Sequence, residues 1–365
     1  MWAETACGTG DSMSVKKERF GQTRDGREIS IYSIDNGVIC AHVTDFGATL
    51  VNLLVPDANG TVQDLLLGYD TPEGYFTNSC FFGALIAPIA NRTGNASYEL
   101  DGKKVQLAVN DGPNNLHSDF DNGSHKRMWK ALQGENFVTF TLEMKDGELG
   151  MPGNKNFAVT YSVTDQNALS IHYHATSDCC TILNPTNHAY FNLNGHNSGS
   201  IEGQELQLNC RAFTPVAAGA IPTGEIRSVE GTALDFTVSK PIGRDINASE
   251  EQLELVGGFD HNFVIDGWTG NGEMVHAATA FSKQSGRQMD VYTNLPGVQF
   301  YAGNFVECPN GTGKEHSSYG KRSAFCLETQ YFPDSIHHDN FPDYVFGENR
   351  VYDSTTMYLF STRQD

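Results

Sequence analysis

The chain has 365 residues, a hydrophobic content of 39%, and 44 acidic against 24 basic side chains, which gives a formal net charge of −20. That length is enough for two average domains or one large all-β domain. A field of this sign repels nucleic acid and anionic membranes, and it disfavours highly phosphorylated substrates. No apolar run approaches the roughly 18 residues that a membrane span needs, so we expect neither a nucleic-acid nor a membrane partner.

The N-terminal residues 1–13 have neither the basic start nor the apolar stretch of a signal peptide. We predict that they form a poorly ordered lead-in. None of the eight cysteines forms a C-x-x-C pair, and the adjacent Cys179 and Cys180 are poorly placed for a disulfide in strand geometry. Most cysteines are expected to be buried thiols of a reducing compartment. The sequence therefore predicts a cytoplasmic protein.

Two windows have a helical pattern: residues 12–20, and residues 250–256 after a possible N-cap at Ser249. Elsewhere an alternation of period two predominates, and it places apolar side chains on one face of each predicted strand. The clearest strands are predicted at residues 137–142, 157–163 and 169–173.

Turn signals separate these strands at short intervals. They are Asn36-Gly37, Asn59-Gly60, Asp101-Gly102 and Asp146-Gly147. No βαβ alternation is present, so a doubly wound parallel sheet is not expected. The pattern predicts an all-β fold, a large antiparallel β-sandwich with few short helices. Because no linker, charge block or internal repeat divides the chain, we predict one domain over residues 1–365.

Several familiar signatures are incomplete. The segment Gly-Thr-Gly-Lys at residues 311–314 lacks both the first glycine and the Ser or Thr of a phosphate-binding loop. No G-x-S-x-G elbow of a serine hydrolase is present. His172 and His174 lie on one strand face, a spacing that zinc sites can use, but we expect them to face water or a polar cavity. The same interpretation applies to His337 and His338, so no metal site is predicted.

Six segments each place a polar or ionisable side chain among apolar or aromatic neighbours. A buried polar group costs about 1–3 kcal/mol unless it is paired, so six such segments indicate convergence on one polar pocket. The segments are Ala-Asn-Arg at 90–92, Asn-Leu-His at 115–117, Asn-His-Ala-Tyr-Phe-Asn-Leu at 187–193, Phe-Asp-His-Asn-Phe at 259–263, Pro-Gly-Val-Gln-Phe-Tyr at 296–301 and Cys-Leu-Glu-Thr-Gln at 326–330.

Taken singly, these side chains also have structural explanations. Glu328 fits a salt-bridged strand carboxylate as well as a catalytic one, and for His188 a hydrogen-bonded structural role is favoured. Arg92 fits a surface ion pair, Asp260 an Asx turn and His117 an ordinary loop. Residue spacing alone therefore assigns no reaction.

Together and in this order, the six segments resemble the aldose 1-epimerase (galactose mutarotase) family. The resemblance runs from about Gly21 to near the C-terminus. It includes Asp-Phe-Gly-Ala-Thr-Leu at 45–50, Asp-Gly-Glu-Leu-Gly at 146–150, Pro-Thr-Gly-Glu at 222–225, Gly-Thr-Ala-Leu-Asp-Phe at 231–236 and Phe-Pro-Asp at 332–334. It implies a galactose mutarotase-like supersandwich with an open cleft.

The resemblance also implies an activity and the residues that perform it. The activity is interconversion of the α and β anomers of free hexoses such as galactose and glucose, without a cofactor or metal. Glu328 resembles the family's general base and His188 its general acid. The implied partners of the sugar hydroxyls are Asn91, Arg92, His117, Asp260 and Gln299. The expected partner is a monosaccharide substrate, and the protein is expected to be a monomer or a homodimer.

Two loops depart from the family's pattern. Ser118 and Asp119 stand where two glycines are usual, and Ala87-Pro88 stands where Gly-Arg is usual. Both loops face the substrate in the family, so the departures concern the preferred sugar more than the chemistry.

Three alternatives remain on the sequence alone. A hexose-6-phosphate 1-epimerase would need a cluster of Arg or Lys, and none lies near the motifs. A non-catalytic sugar-binding module would be expected to lack Glu328 or His188. A glycoside hydrolase would need two carboxylates that flank the bond, for which Glu328 and Asp260 are the candidates.

Overall fold

Regular structure in residues 13–364, the part of the chain that this computed structural model describes, consists mainly of β-strands. The strands are β1 Ser14–Gln22, β2 Glu28–Asp35, β3 Cys40–Thr44, β4 Thr49–Pro56, β5 Val62–Asp64, β6 Ala84–Ile86, β7 Arg92–Thr93, β8 Ser97–Leu100, β9 Lys103–Gln106, β10 Asn115–Leu116, β11 Lys130–Gln133, β12 Phe137–Met144, β13 Lys155–Val163, β14 Ala168–Ser177, β15 Thr181–Ile182, β16 Thr186–His188, β17 Glu205–Leu208, β18 Ala212–Thr214, β19 Arg227–Ser228, β20 Lys240–Pro241, β21 Asp260–Val264, β22 Val275–Phe281, β23 Arg287–Thr293, β24 Gly297–Tyr301, β25 Cys326–Gln330, β26 Val345–Phe346 and β27 Tyr352–Thr362. The α-helices are α1 Pro72–Thr77 and α2 Glu251–Val256, and short 3₁₀-helices occur in several connections. The lead-in predicted for residues 1–13 lies, except for Met13, outside the described residues.

Three antiparallel sheets carry the architecture. The largest has nine strands in the order β11-β12-β13-β14-β27-β23-β22-β17-β20, and two five-stranded sheets have the orders β1-β2-β3-β4-β5 and β19-β18-β21-β24-β25. One hydrophobic core contains side chains from all three sheets, among them Leu53, Phe157 and Phe263. The predicted all-β fold is confirmed, and the continuous core supports our proposal of a single domain.

The strands predicted from alternation are confirmed as β12, β13 and β14. In β13 the residues Phe157, Val159, Tyr161 and Val163 are all buried, because every second side chain of a strand points to the core. The four predicted turns each join consecutive strands, and their glycines (Gly37, Gly60, Gly102 and Gly147) have positive φ angles from 71° to 85°.

The helix predicted at residues 12–20 is wrong, because this segment is strand β1 and pairs antiparallel with β2. The four residues from Lys16 to Arg19 are exposed on the sheet edge. Charged side chains there protect the edge strand from pairing with another chain. The helix at residues 250–256 is confirmed as α2, with Glu250 rather than Ser249 at the N-cap and Gly257 in the left-handed C-cap conformation. Neither α1 nor α2 has the length or the apolar composition to cross a bilayer.

The Gly-Thr-Gly-Lys segment has a structural role that centres on Lys314. This side chain is buried, and its Nζ donates to the backbone oxygen of Val51, to Leu66 O at 2.9 Å and to Asp64 Oδ2 at 2.6 Å. The ammonium group therefore joins the loop after β24 to β4 and β5, and it is not placed for phosphate binding.

Replacing Lys314 by Met should lower the free energy of unfolding by about 3–5 kcal/mol, because Asp64 would keep a buried charge without its partner. Urea unfolding measures the change. Lys145→Met is the control, since Lys145 forms an exposed pair with Glu143 at 3.6 Å, and its loss should cost no more than about 1 kcal/mol. Equal unfolding midpoints for the two variants would contradict the structural role of Lys314.

Candidate active site

A cleft of about 200 Å³ contains the side chains that the sequence singled out. All seven predicted site residues line it: Asn91, Arg92, His117, His188, Asp260, Gln299 and Glu328. The other lining residues are Ser79, Cys80, Phe81, Leu116, Tyr190, Tyr301 and Phe305. Six sequence segments that are distant in the chain therefore converge on one pocket.

The register of three neighbouring strands places the acidic side of the cleft. In β24, Gln299 lies directly opposite Glu328 of β25 and opposite Asn262 of β21. Gln299 Nε2 donates to Asp260 Oδ1 at 2.8 Å, and Gln299 Oε1 accepts a hydrogen bond from Gln330 Nε2 at 3.0 Å. Both ends of the Gln299 amide are thereby fixed, and Gln299 in turn orients the carboxylate of Asp260.

His188 approaches Glu328 from a separate ribbon. It ends β16, which pairs with β6, and Gly83 N donates to its backbone oxygen. His188 Nε2 lies 3.7 Å from Glu328 Oε1, and the two residues are only 5% and 3% exposed. An imidazole and a carboxyl group at this distance can act on two atoms of one small ligand.

Burial changes the protonation of this pair. Burial lowers the pKa of His188 to about 4. It raises the pKa of Glu328 well above the ordinary carboxyl range, and the nearby Asp260 adds to this effect while Arg92 opposes it. Desolvation penalises each charged form, so burial favours the uncharged pair, with its proton on Glu328, over the ion pair. The same effects make Glu328 a stronger base and His188 a stronger acid than either would be in water.

His117 faces the cleft as a neutral hydrogen-bond donor. Burial is the main cause that holds its pKa well below the usual value, and the neighbouring His188 and Arg92 add to it. Its Nδ1 accepts a hydrogen bond from Asn91 N at 3.1 Å, which leaves the ring proton on Nε2. Both Asn91 and His117 have positive φ angles, 58° and 54°. This unusual backbone brings the two loops together.

Arg92 is the only Arg or Lys among the residues that line the cleft. Its Nε donates to Asp111 Oδ2 at 2.7 Å, so Asp111 fixes the guanidinium from outside the cleft. The sequence interpretation did not include Asp111, because nothing in its loop indicates a partner on another strand.

The two loops that depart from the family's pattern are occupied with internal contacts. Ser118 is buried with φ of 64°, and its Oγ accepts from Ile89 N at 2.9 Å and donates to Ile89 O at 2.8 Å. Asp119 Oδ1 accepts the backbone N–H groups of Asp121 and Asn122. Neither residue lines the cleft, and neither does Pro88, which follows a cis peptide bond.

The four histidines that the sequence raised as possible metal ligands do not line the cleft. His172 and His174 are partly exposed and both contact Asp353, while His337 and His338 contact Asp334. Among the described residues, one group has the spacing of metal ligands, namely His188, Cys326 and Glu328. Burial raises the pKa of the Cys326 thiol well above its usual value, which opposes the thiolate that a metal requires.

Phe81 and Phe305 line the cleft but were missed. Phe81 has φ of 60° and packs beside His117, His125 and His188 with ring centroids 4.8 to 6.0 Å apart. Phe305 is 68% exposed. In the sequence both are ordinary apolar residues, and only the fold distinguishes them from the core.

Several known proteins resemble the chain over almost its whole length. A sequence model of the aldose 1-epimerase family matches residues 30–359. Galactose mutarotase of Bos taurus is 38% identical over 352 residues, which cover 96% of this chain and 99% of that protein. Aldose 1-epimerase of Escherichia coli K12 is 36% identical over 340 residues, or 92% and 96% of the two chains. The crystal structure of galactose 1-epimerase from Lactobacillus acidophilus NCFM has a TM-score of 0.82 at 27% identity and covers 96% of this chain and 99% of that chain.

Proposed function

Because the chain belongs to the aldose 1-epimerase family, we propose that it interconverts the α and β anomers of free hexoses such as galactose and glucose. The observation that carries the proposal is the buried contact between His188 Nε2 and Glu328 Oε1 at 3.7 Å, in a cleft lined by hydroxyl-binding side chains. A cleft of about 200 Å³ has room for one monosaccharide.

Ring opening needs two proton transfers. The Glu328 carboxylate removes the proton from the C1 hydroxyl, and the His188 imidazolium donates a proton to the ring oxygen as the C1–O5 bond breaks. The open aldehyde rotates by a half turn about C1–C2. Closure from the other face returns the first proton from Glu328 to O1 and the second from the C5 hydroxyl to His188. Charge and protons balance without a covalent intermediate.

The number of protons held by His188 and Glu328 together stays the same through this cycle. The ionised pair that starts the reaction holds one proton, and so does the neutral pair that stands beside the open aldehyde. Because burial disfavours both charged forms, it promotes the transfers that open the ring. The reaction therefore needs no proton from solvent during the cycle.

The other side chains of the cleft fit a neutral, hydroxylated ligand. Asp260 and the oxygen of Asn91 are acceptors, while His117 and Arg92 are donors. A buried site built to bind hydroxyl groups rejects analogues that lack them. A phosphorylated sugar fits less well, because Arg92 is the only Arg or Lys in the cleft lining and is already paired with Asp111. Glu328 is paired with His188, whereas Asp260 accepts a hydrogen bond from Gln299. We therefore propose that Asp260 binds a sugar hydroxyl and is not the second carboxylate of a glycosidase.

We further propose a cytoplasmic location. Six described cysteines are free thiols: Cys80, Cys179, Cys180, Cys210, Cys308 and Cys326. Most of the described cysteines are buried, as expected: Cys40, Cys210, Cys308 and Cys326. Cys179 and Cys180 are exposed, and exposed free thiols are typical of reducing compartments. A monomer or homodimer remains our expectation for the assembly.

Polarimetry of freshly dissolved α-D-galactose and α-D-glucose tests the proposed activity. The purified protein should accelerate the decay of optical rotation to the same final value as in buffer, since a catalyst does not change the equilibrium. A decay identical to the uncatalysed trace for both sugars would refute the proposal for these substrates.

The pH dependence of kcat/KM should show the effect of burial. When His188 and Glu328 together hold two protons, the carboxylate that acts as the base is lost. The second proton binds at the lowered pKa of His188, about 4. The rate should therefore be constant on the acid side down to about pH 5 and then fall with unit slope. The uncatalysed rate is subtracted in each buffer. An acid-side break near 6.5, the value of an unperturbed imidazole, would contradict the assignment.

A further inference from the structure

Cys326 lies next to His188 and has no part in the proton transfers. It begins β25, is fully buried, and shares a strand face with Glu328 two residues further on. Its Sγ lies 3.5 Å from His188 Nδ1, whereas Glu328 Oε1 lies 3.7 Å from His188 Nε2. Two side chains of one strand therefore face the two nitrogens of one imidazole ring.

Aromatic neighbours fix the plane of this ring but not its orientation within the plane. Phe81 and Tyr190 lie nearly parallel to it, at interplanar angles of 23° and 20°. A half turn about the Cβ–Cγ bond of His188 preserves both stacking contacts, yet it exchanges each ring nitrogen with a carbon. A polar contact at a ring nitrogen selects one of the two orientations, and Cys326 supplies such a contact at Nδ1.

We propose that Cys326 is a positioning residue that holds His188 Nδ1 and thereby keeps Nε2 as the nitrogen that exchanges a proton with the sugar. This inference rests on the proposed epimerase function. It assigns Cys326 no contact with the substrate.

A thiol suits this position because its sulfur is a weak, uncharged acceptor. When His188 is charged, the sulfur accepts a hydrogen bond from Nδ1–H. After Nε2 has given its proton to the ring oxygen, the remaining ring proton stays on Nδ1, still held by the sulfur, and Nε2 is free to take a proton back. A carboxylate at this position could only accept and would favour the charged ring. A methyl group would remove the side-chain contact at Nδ1.

The surroundings keep the thiol neutral. Burial raises the pKa of Cys326 well above its usual value, and the nearby Glu328 and Asp260 act in the same direction. A protonated, buried thiol is a poor nucleophile, so its contribution is to orient His188.

Kinetics of Cys326→Ala and Cys326→Ser test the inference. The alanine variant should lose about 3- to 10-fold in kcat with little change in KM, the range expected for one weak hydrogen bond that orients a catalytic group. The serine variant keeps a donor and an acceptor and should recover most of kcat. Cys210→Ala is the matched control, because Cys210 is also a buried free thiol, and the charged group near it is Asp266, which does not line the cleft.

A second readout is independent of activity. Protein labelled with ¹⁵N-histidine should show neutral His188, assigned by its loss in His188→Asn, as one tautomer with the proton on Nδ1. In Cys326→Ala its two nitrogen shifts should move toward each other. An active wild type with unchanged kcat and nitrogen shifts in Cys326→Ala would overturn the positioning role, as would equal losses in the alanine and serine variants. An inactive wild type would instead refute the proposed function.

Discussion

Glu328→Gln is expected to slow anomer interconversion by at least about 100-fold, the usual contribution of a positioned general base. The amide has nearly the same shape and can still hydrogen-bond the sugar, but it cannot take the proton from the C1 hydroxyl. Binding of galactose, measured by calorimetry, should therefore change far less than kcat. The loss in kcat reflects weaker stabilisation of the transition state, in which the proton is transferred.

Polarimetry of the variant at saturating sugar measures this effect. Glu143→Gln is the control, because it makes the same chemical change at an exposed strand position outside the cleft. A Glu328→Gln rate within about tenfold of wild type would remove Glu328 from the role of base.

His188→Asn is expected to reduce the rate by a similar factor, at least about 100-fold. Asparagine can fill part of the space and form a hydrogen bond, but its amide does not protonate the ring oxygen at any pH that the protein tolerates. Because the two groups act in one step, the double variant Glu328→Gln/His188→Asn should be little worse than either single variant.

His174→Asn is the matched control, since His174 is partly exposed and contacts Asp353 of β27 in the nine-stranded sheet. Thermal unfolding of both variants checks that His188→Asn is folded. Normal activity in a folded His188→Asn protein would show that another group protonates the ring oxygen.

The sequence predicted the fold class and seven of the fourteen residues that line the cleft, for different reasons. Alternation in β12, β13 and β14 is a local signal, because each of these strands has one face toward the core. Strand β1 misled the interpretation, because its charged residues have no local alternation and its pairing with β2 decides its conformation.

The cleft residues were found because each motif combines polar and apolar residues in an order that the family shares. The geometry within the cleft could not be predicted from the sequence. The raised pKa of Glu328 and the lowered pKa of His188 arise from burial by segments far away in the chain. The contact of Asp111 with Arg92, and that of Cys326 with His188, likewise depend on how separate strands and loops meet.

Exchange spectroscopy by ¹H NMR on galactose at anomeric equilibrium tests the central claim most directly, because it observes the two anomers without any net reaction. Wild-type protein should produce exchange cross-peaks between the α and β H1 signals on a time scale at which buffer gives none, and Glu328→Gln should produce none above buffer. Identical spectra in the presence and absence of wild-type protein would contradict the account.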